Sequence, residues 1–140
     1  MHRSAMRELA FKLIYGIEMQ NNEESAEQVE LFVQNNDIKD TKVISYLKDI
    51  QKGLEEKSED INSLIENNLK ENWSLERVSK VNLSLIKIAV YEMVYKELPY
   101  KVAINEVVEL AKKYSDDTAP QFINGILASV VKEKNLDKKD

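Results

Sequence analysis

Val81-Asn82-Leu83-Ser84-Leu85-Ile86-Lys87-Ile88-Ala89-Val90-Tyr91-Glu92-Met93-Val94, then a break at Glu97-Leu98-Pro99, then Tyr100 to Tyr114, is the stretch whose reading decides the fold. In its first half only Asn82, Ser84, Lys87 and Glu92 interrupt the apolar residues, so a helix there is apolar on nearly every side and belongs inside a bundle. Pro99 has no N–H to donate and disfavours a helical Leu98, so the first helix ends before it and a second begins just after. In that second helix Ala103, Val107, Leu110 and Tyr114 recur at i, i+4, i+7 and i+11, with Ile104, Val108 and Ala111 beside them. This one-sided pattern packs it against the first helix as an angled pair.

Outward from the pair, the same logic repeats. Met6, Leu9, Ala10, Leu13 and Ile17 give an opening helix, from Arg3 or Ser4 to Met19, its core face. Asn21 and Asn22 read as a polar turn, and Ser25 as an N-cap with Gln28 three residues on, ahead of Val29, Leu31, Phe32 and Val33. Val43, Ile44, Leu47, Ile50 and Leu54 mark a third helix from about Lys39, with Gly53 inside it where a neighbour can come close. Ile61, Leu64, Ile65 and Leu69 mark a fourth, and Ser74-Leu75-Glu76-Arg77 a cap and first turn with Trp73 as its staple. Ser115 to Thr118 supplies N-cap residues and Pro120 a first turn for a last helix reaching about Lys132, in which Gly125 permits close helix contact. The expected fold is all-α, a compact bundle of about seven helices forming a single domain over 1–140, with 133–140 a frayed charged tail.

Composition narrows the chemistry. A length of 140 residues is enough to bury roughly 70% of the unfolded surface, so no staple is needed to hold a core. There is no cysteine, which removes disulfides and thiolate sites and suits a reducing cytoplasm. No stretch has the roughly 18 uncharged apolar residues of a membrane span, and Glu8 and Lys12 interrupt any signal-like region, so a cytoplasmic location is expected. The one histidine is His2 at the N-terminus, the three glycines are scattered, and no Glu-x-x-His pair occurs. Catalysis, a metal site and a cofactor are therefore not expected.

The net charge of −5, from 20 basic and 25 acidic side chains, argues against gripping nucleic acid by bulk field. Its distribution is uneven. Residues 1–19 carry Arg3, Arg7 and Lys12 against Glu8 and Glu18, whereas residues 20–40 carry six carboxylates against Lys39. On the opening helix Arg3, Ser4, Arg7, Glu8, Phe11 and Tyr15 share a sector of about 140°, and guanidinium groups beside aromatic rings suit single-stranded RNA. The alternative is a solvated face with Phe11 and Tyr15 tucked under a neighbour. Glu92, Asn105 and Glu106 are read as structural groups near the Pro99 break, and Phe122 as core or RNA contact with even weight.

Four blocks carry a resemblance: Ile88 to Glu92, Pro99 to Glu106, Glu109-Leu110-Ala111-Lys112-Lys113, and Phe122-Ile123-Asn124-Gly125-Ile126-Leu127. Together with Arg7-Glu8, Ala10 and Tyr15 they resemble the NusB family of transcription antitermination proteins. The resemblance implies a non-enzymatic RNA-binding factor that pairs with the small-subunit ribosomal protein also known as NusE. It implies binding of boxA-type single-stranded RNA, and support of RNA polymerase within an antitermination complex, notably on ribosomal RNA operons. It also implies RNA contacts at Arg3, Arg7 and Tyr15, with Lys12 alongside and Phe122 near the family's other contact region. Where relatives commonly carry an arginine run this protein reads His2-Arg3-Ser4-Ala5-Met6-Arg7, and Asn82 and Leu83 replace an acidic and a basic residue. A rival reading is a purely protein-binding module, such as a homodimer that hides the first helix.

Overall fold

The computed structural model describes residues 1–20 and 25–138 and contains seven α-helices among them. They divide into two compact units, Met1–Glu56 and Lys57–Asp140. The proposed turn at Asn21-Asn22 lies outside the described residues.

The first unit holds α1 (Arg3–Gln20), α2 (Ser25–Asn35) and α3 (Thr41–Glu56), each packed on the other two. Val43, Leu47 and Ile50 of α3 are almost fully buried, as their spacing requires, and Val29 is the buried residue of α2. Ser25 opens α2, but its hydroxyl is engaged with α3. Gln51, itself buried, donates from Nε2 to Ser25 Oγ at 2.6 Å and to Glu55 Oε2 at 2.8 Å, satisfying a polar group that the low dielectric would otherwise penalise.

In α1 the buried stripe is rotated from the expected one. Arg7, Ala10, Phe11, Leu13 and Ile14 are buried, while Met6, Leu9 and Ile17 are only half-buried. At 100° per residue the buried set spans about 160° and takes in Phe11 and Arg7, which the sequence reading placed on the RNA face. The cause is apolar area. Phe11 and Ile14 together remove more hydrocarbon from water than Met6 and Ile17, and Arg7 between them is buried along with its guanidinium.

The second unit holds α4 (Ser58–Asn67), α5 (Lys80–Val90), α6 (Tyr100–Tyr114) and α7 (Ala119–Glu133), with α4, α6 and α7 all packed on α5. Leu85, Ile86, Ile88, Ala89 and Val90 show no exposed surface, so α5 is the centre that its all-round apolar sequence demands. Ser79 caps it, accepting the Asn82 N–H at 3.1 Å. The helix then widens into a π-turn at Tyr91–Tyr95 before it ends. Glu97 takes φ 54°, and the Glu92 carbonyl accepts from the N–H groups of both Lys96 and Leu98. That left-handed residue, rather than Pro99 alone, turns the backbone, and Pro99 stands as the N-cap of α6. Ala103, Ile104, Val107, Leu110 and Ala111 of α6 are buried as their periodicity requires.

Three local expectations are corrected. Ser74 to Arg77 form no helix start but a single 3₁₀ turn, Leu75–Arg77, and α5 begins at Lys80. Trp73 is 47% exposed, so it is not a buried staple. Gly125 does lie inside α7, but a Cβ there would meet nothing within 4 Å, so close helix contact is not its reason. After α7 a short 3₁₀ turn follows at Leu136–Lys138.

The start of α7 carries its own pH dependence. Asp116 Oδ1 accepts from Thr118 N–H at 3.0 Å, Thr118 Oγ1 at 2.7 Å and Ala119 N–H at 3.0 Å. These bonds, the Thr118 hydroxyl foremost, hold its carboxyl below the ordinary value. Folding thus favours the ionised form, so the stabilisation is complete above the unfolded pKa and is lost as pH falls through the folded one. Asp116→Ala is expected to lower the melting temperature at neutral pH, and the gap from the parent should close at about pH 2, below the usual carboxylate range. Calorimetry at the two pH values checks this, and an undiminished gap at acid pH would remove the charge from the account.

Candidate nucleic-acid interface

Of the α1 residues, Arg3 and Lys12 are exposed, Tyr15 is half-buried and Arg7 is 3% exposed. The rings of Phe11 and Tyr15 stack at 5.9 Å between centroids with 29° between planes. Buried Phe11 thus acts as the backing of Tyr15 and leaves that ring part-open for a base. Arg3 and Lys12 offer charge on separate sides of the helix, about 180° apart. The structure therefore keeps Arg3, Lys12 and Tyr15 available and withdraws Arg7 into the packing.

Phe122 lies in the second unit, near the start of α7, and is half-buried. Its ring meets Trp73 at 6.1 Å with planes 40° apart. The two rings border a groove of about 550 Å³ whose lining includes Asn68, Lys70, Gln121 and Gly125. Since nothing approaches the missing Cβ of Gly125, that residue leaves the groove open along α7. The groove has Lys70 as the one charged residue of its lining, and the Glu133 carboxylate stands just behind it against Asn68. Its polar edge is held in place: Asn68 donates from Nδ2 to the Leu64 carbonyl at 2.8 Å and to Glu133 Oε1 at 3.1 Å, while Ser129 Oγ donates to Asn68 Oδ1 at 2.5 Å. Aromatic faces, one cation and a fixed carboxamide are parts that a site for an unstacked base uses. Sequence reasoning missed Lys70 and misassigned Trp73, because no linear signal joins residue 73 to residue 122.

Asn82 and Leu83 are not a discharged surface but interior groups, 9% and 5% exposed. Ser115 Oγ donates to Asn82 Oδ1 at 2.8 Å, tying the start of α5 to the loop after α6. Glu92 is buried with its carbonyl at the π-turn, as a structural group should be, whereas Asn105 is exposed on α6 and takes no part in the break. Among the described residues no helix is long and apolar enough to cross a membrane.

The fold is all-helical among the described residues and carries a groove bordered by two aromatic rings. The sequence model of the NusB family matches residues 4–132, and the chain belongs to that family. It is 42% identical over 134 residues to the transcription antitermination protein NusB of Clostridium novyi (strain NT), covering 94% of this chain and 99% of that one. With the protein of the same name from Clostridium perfringens (strain SM101 / Type A) it shares 44% identity over 134 residues, covering 94% and 98%. Among solved structures, a T. maritima NusB superposes with TM-score 0.88 at 29% identity, covering 99% of both chains. A structure of the antitermination factors NusB and NusE in complex with dsRNA gives TM-score 0.84 at 26% identity, covering 94% of this chain and 96% of that one.

Proposed function

We propose that this protein is a transcription antitermination factor that pairs with NusE and binds boxA-type single-stranded RNA, acting by binding and without catalysis. The observation that carries the reading is the family match over residues 4–132, to which the structure adds a Trp73–Phe122 groove of suitable chemistry. Arg3, Lys12 and Tyr15 on α1 would contact phosphate and base, Phe122 with Trp73 would stack a second base, and Arg7 would act through the packing of α1. The complex would then support RNA polymerase on ribosomal RNA operons, in the cytoplasm.

The field of the whole protein repels phosphate, so isolated affinity should be weak and NusE should supply the missing positive charge. If Arg3, Lys12 and Lys70 each neutralise one phosphate, log K for the protein alone should fall with log salt at a slope of about −2. Added NusE should both tighten binding and steepen the slope. Fluorescence anisotropy with a boxA oligonucleotide, with and without purified NusE, reads both quantities. Binding left unchanged by NusE would defeat the heterodimer, and a homodimer that loses RNA binding as it forms on size exclusion would favour the rival reading.

A further inference from the structure

We propose that the Trp73–Phe122 groove chooses between bases by the direction of their hydrogen bonds, taking one that turns an exocyclic amino group to its rim in preference to uracil, which has none. The inference rests on the reading that this groove stacks an RNA base, and adds which bases it takes. Besides the rings and Lys70, the lining offers the carboxamides of Asn68 and Gln121 and the hydroxyls of Thr118 and Ser129. In three of these, every hydrogen that could be donated is already in use. Both N–H bonds of the Asn68 carboxamide are taken, one by the Leu64 carbonyl at 2.8 Å and one by Glu133 Oε1 at 3.1 Å. A carbonyl and a carboxylate can only accept, so the amide cannot turn over, and Asn68 Oδ1 stays towards Ser129, whose hydroxyl donates to it. At the other end of the groove the Thr118 hydroxyl donates to Asp116 Oδ1 at 2.7 Å, on a carboxyl that its bonds at the start of α7 keep ionised.

What these fixed groups still present is lone pairs, on Thr118 Oγ1, Ser129 Oγ and Asn68 Oδ1. Thr118 and Ser129 stand about 16 Å apart along α7, so a base edge turned to either end of the groove meets oxygens that only accept. The amino groups of cytosine and adenine are the matching donors. Uracil would set carbonyl oxygens against them, leaving acceptors on both sides unsatisfied. The other polar groups do not reverse this choice. Gln121 is exposed and its carboxamide has no partner among the described residues, so it can turn a donor or an acceptor to any base. The Trp73 N–H lies in the ring plane, where a base stacked on the ring face does not meet it, and Lys70 is the contact to phosphate.

Fluorescence anisotropy of the full-length protein at low salt, with oligocytidylate and oligouridylate of equal length, tests the assignment. The two strands carry the same charge, so their affinity ratio cancels the phosphate contacts. The parent should bind the cytidine strand about fivefold more tightly, the size of one net hydrogen bond. Trp73→Ala should weaken both strands and bring the ratio towards unity. Ser129→Lys and Thr118→Lys each replace an accepting oxygen by a group that only donates, and at least one of them should level or reverse the ratio. Each ratio is taken on one protein, so a loss of active fraction cancels. Equal affinities in the parent, or tighter binding of the uridine strand, would overturn the selection, while the stacking reading stands if Trp73→Ala weakens both strands. A cytidine preference untouched by both lysine variants would place the selection elsewhere and overturn the proposal as well. If Trp73→Ala alters neither strand, the groove is not the base site and both readings fall.

Discussion

Leu85→Ala should destabilise the Lys57–Asp140 unit by ~2 to 5 kcal/mol, the largest single effect expected of any conservative change here. Leu85 shows no exposed surface on α5, the helix against which α4, α6 and α7 all pack. Truncation removes the transfer free energy of three carbons and leaves a cavity whose walls belong to rigid helices, so little of the space can collapse. Val102→Ala on α6, at 43% exposure, removes similar hydrocarbon from the surface and should stay within about 0.5 kcal/mol of the parent. Urea unfolding of the two variants gives the comparison directly, read from the midpoint at constant m. Equal midpoints for Leu85→Ala and the parent would mean that α5 is not the centre of the unit.

Trp73→Ala and Phe122→Ala should each weaken RNA binding by ~1 to 3 kcal/mol while leaving the salt slope nearly unchanged, because a lost stacking face releases no counterion. Lys70→Ala should do the reverse in kind, shallowing the slope by about 0.7. Gly125→Leu supplies an independent check. The Cβ meets nothing within 4 Å, so the helix accepts the leucine and the groove fills without either ring being touched. Tyr15→Ala should resemble the ring variants, but it also uncovers buried Phe11, so its melting point must be measured beside its affinity. Arg7→Ala should cost stability before it costs affinity, since that residue is buried. Undiminished RNA binding in both Trp73→Ala and Phe122→Ala would reduce the aromatic pair to a packing contact.

Two positions show how family likeness and physical environment part company. Arg7 was expected at the RNA surface from the resemblance, yet it is buried on the same face as Ala10, Phe11 and Ile14. Asn82 was expected to mark an altered patch of surface, yet it is an interior acceptor for Ser115. Arg7 was expected on the surface from a resemblance and Asn82 from a departure from it, and the local balance of apolar area and hydrogen bonding buried both.

By itself the sequence determined the helices and most of the core. Periodicity is a local property, so Ala103, Ile104, Val107 and Leu110 had to share one face of α6, and the near-absence of polar residues in Leu83 to Val90 had to put α5 in the middle. The four blocks that resemble the NusB family were equally legible, because they are linear. What tertiary structure decided is whatever depends on two distant segments meeting or on competition for a shared interior. Periodicity put the core face of α1 on Met6, Leu9, Ala10, Leu13 and Ile17, and the packing chose instead the one containing Phe11 and Ile14. Trp73 and Phe122 are 49 positions apart and become a ring pair only when the segment after α4 lies against α7, and Asn105 and Asn124 line one groove only because α6 packs on α7. A residue's own neighbourhood in sequence fixes which face of a helix it occupies, but only the packing of helices fixes what that face meets.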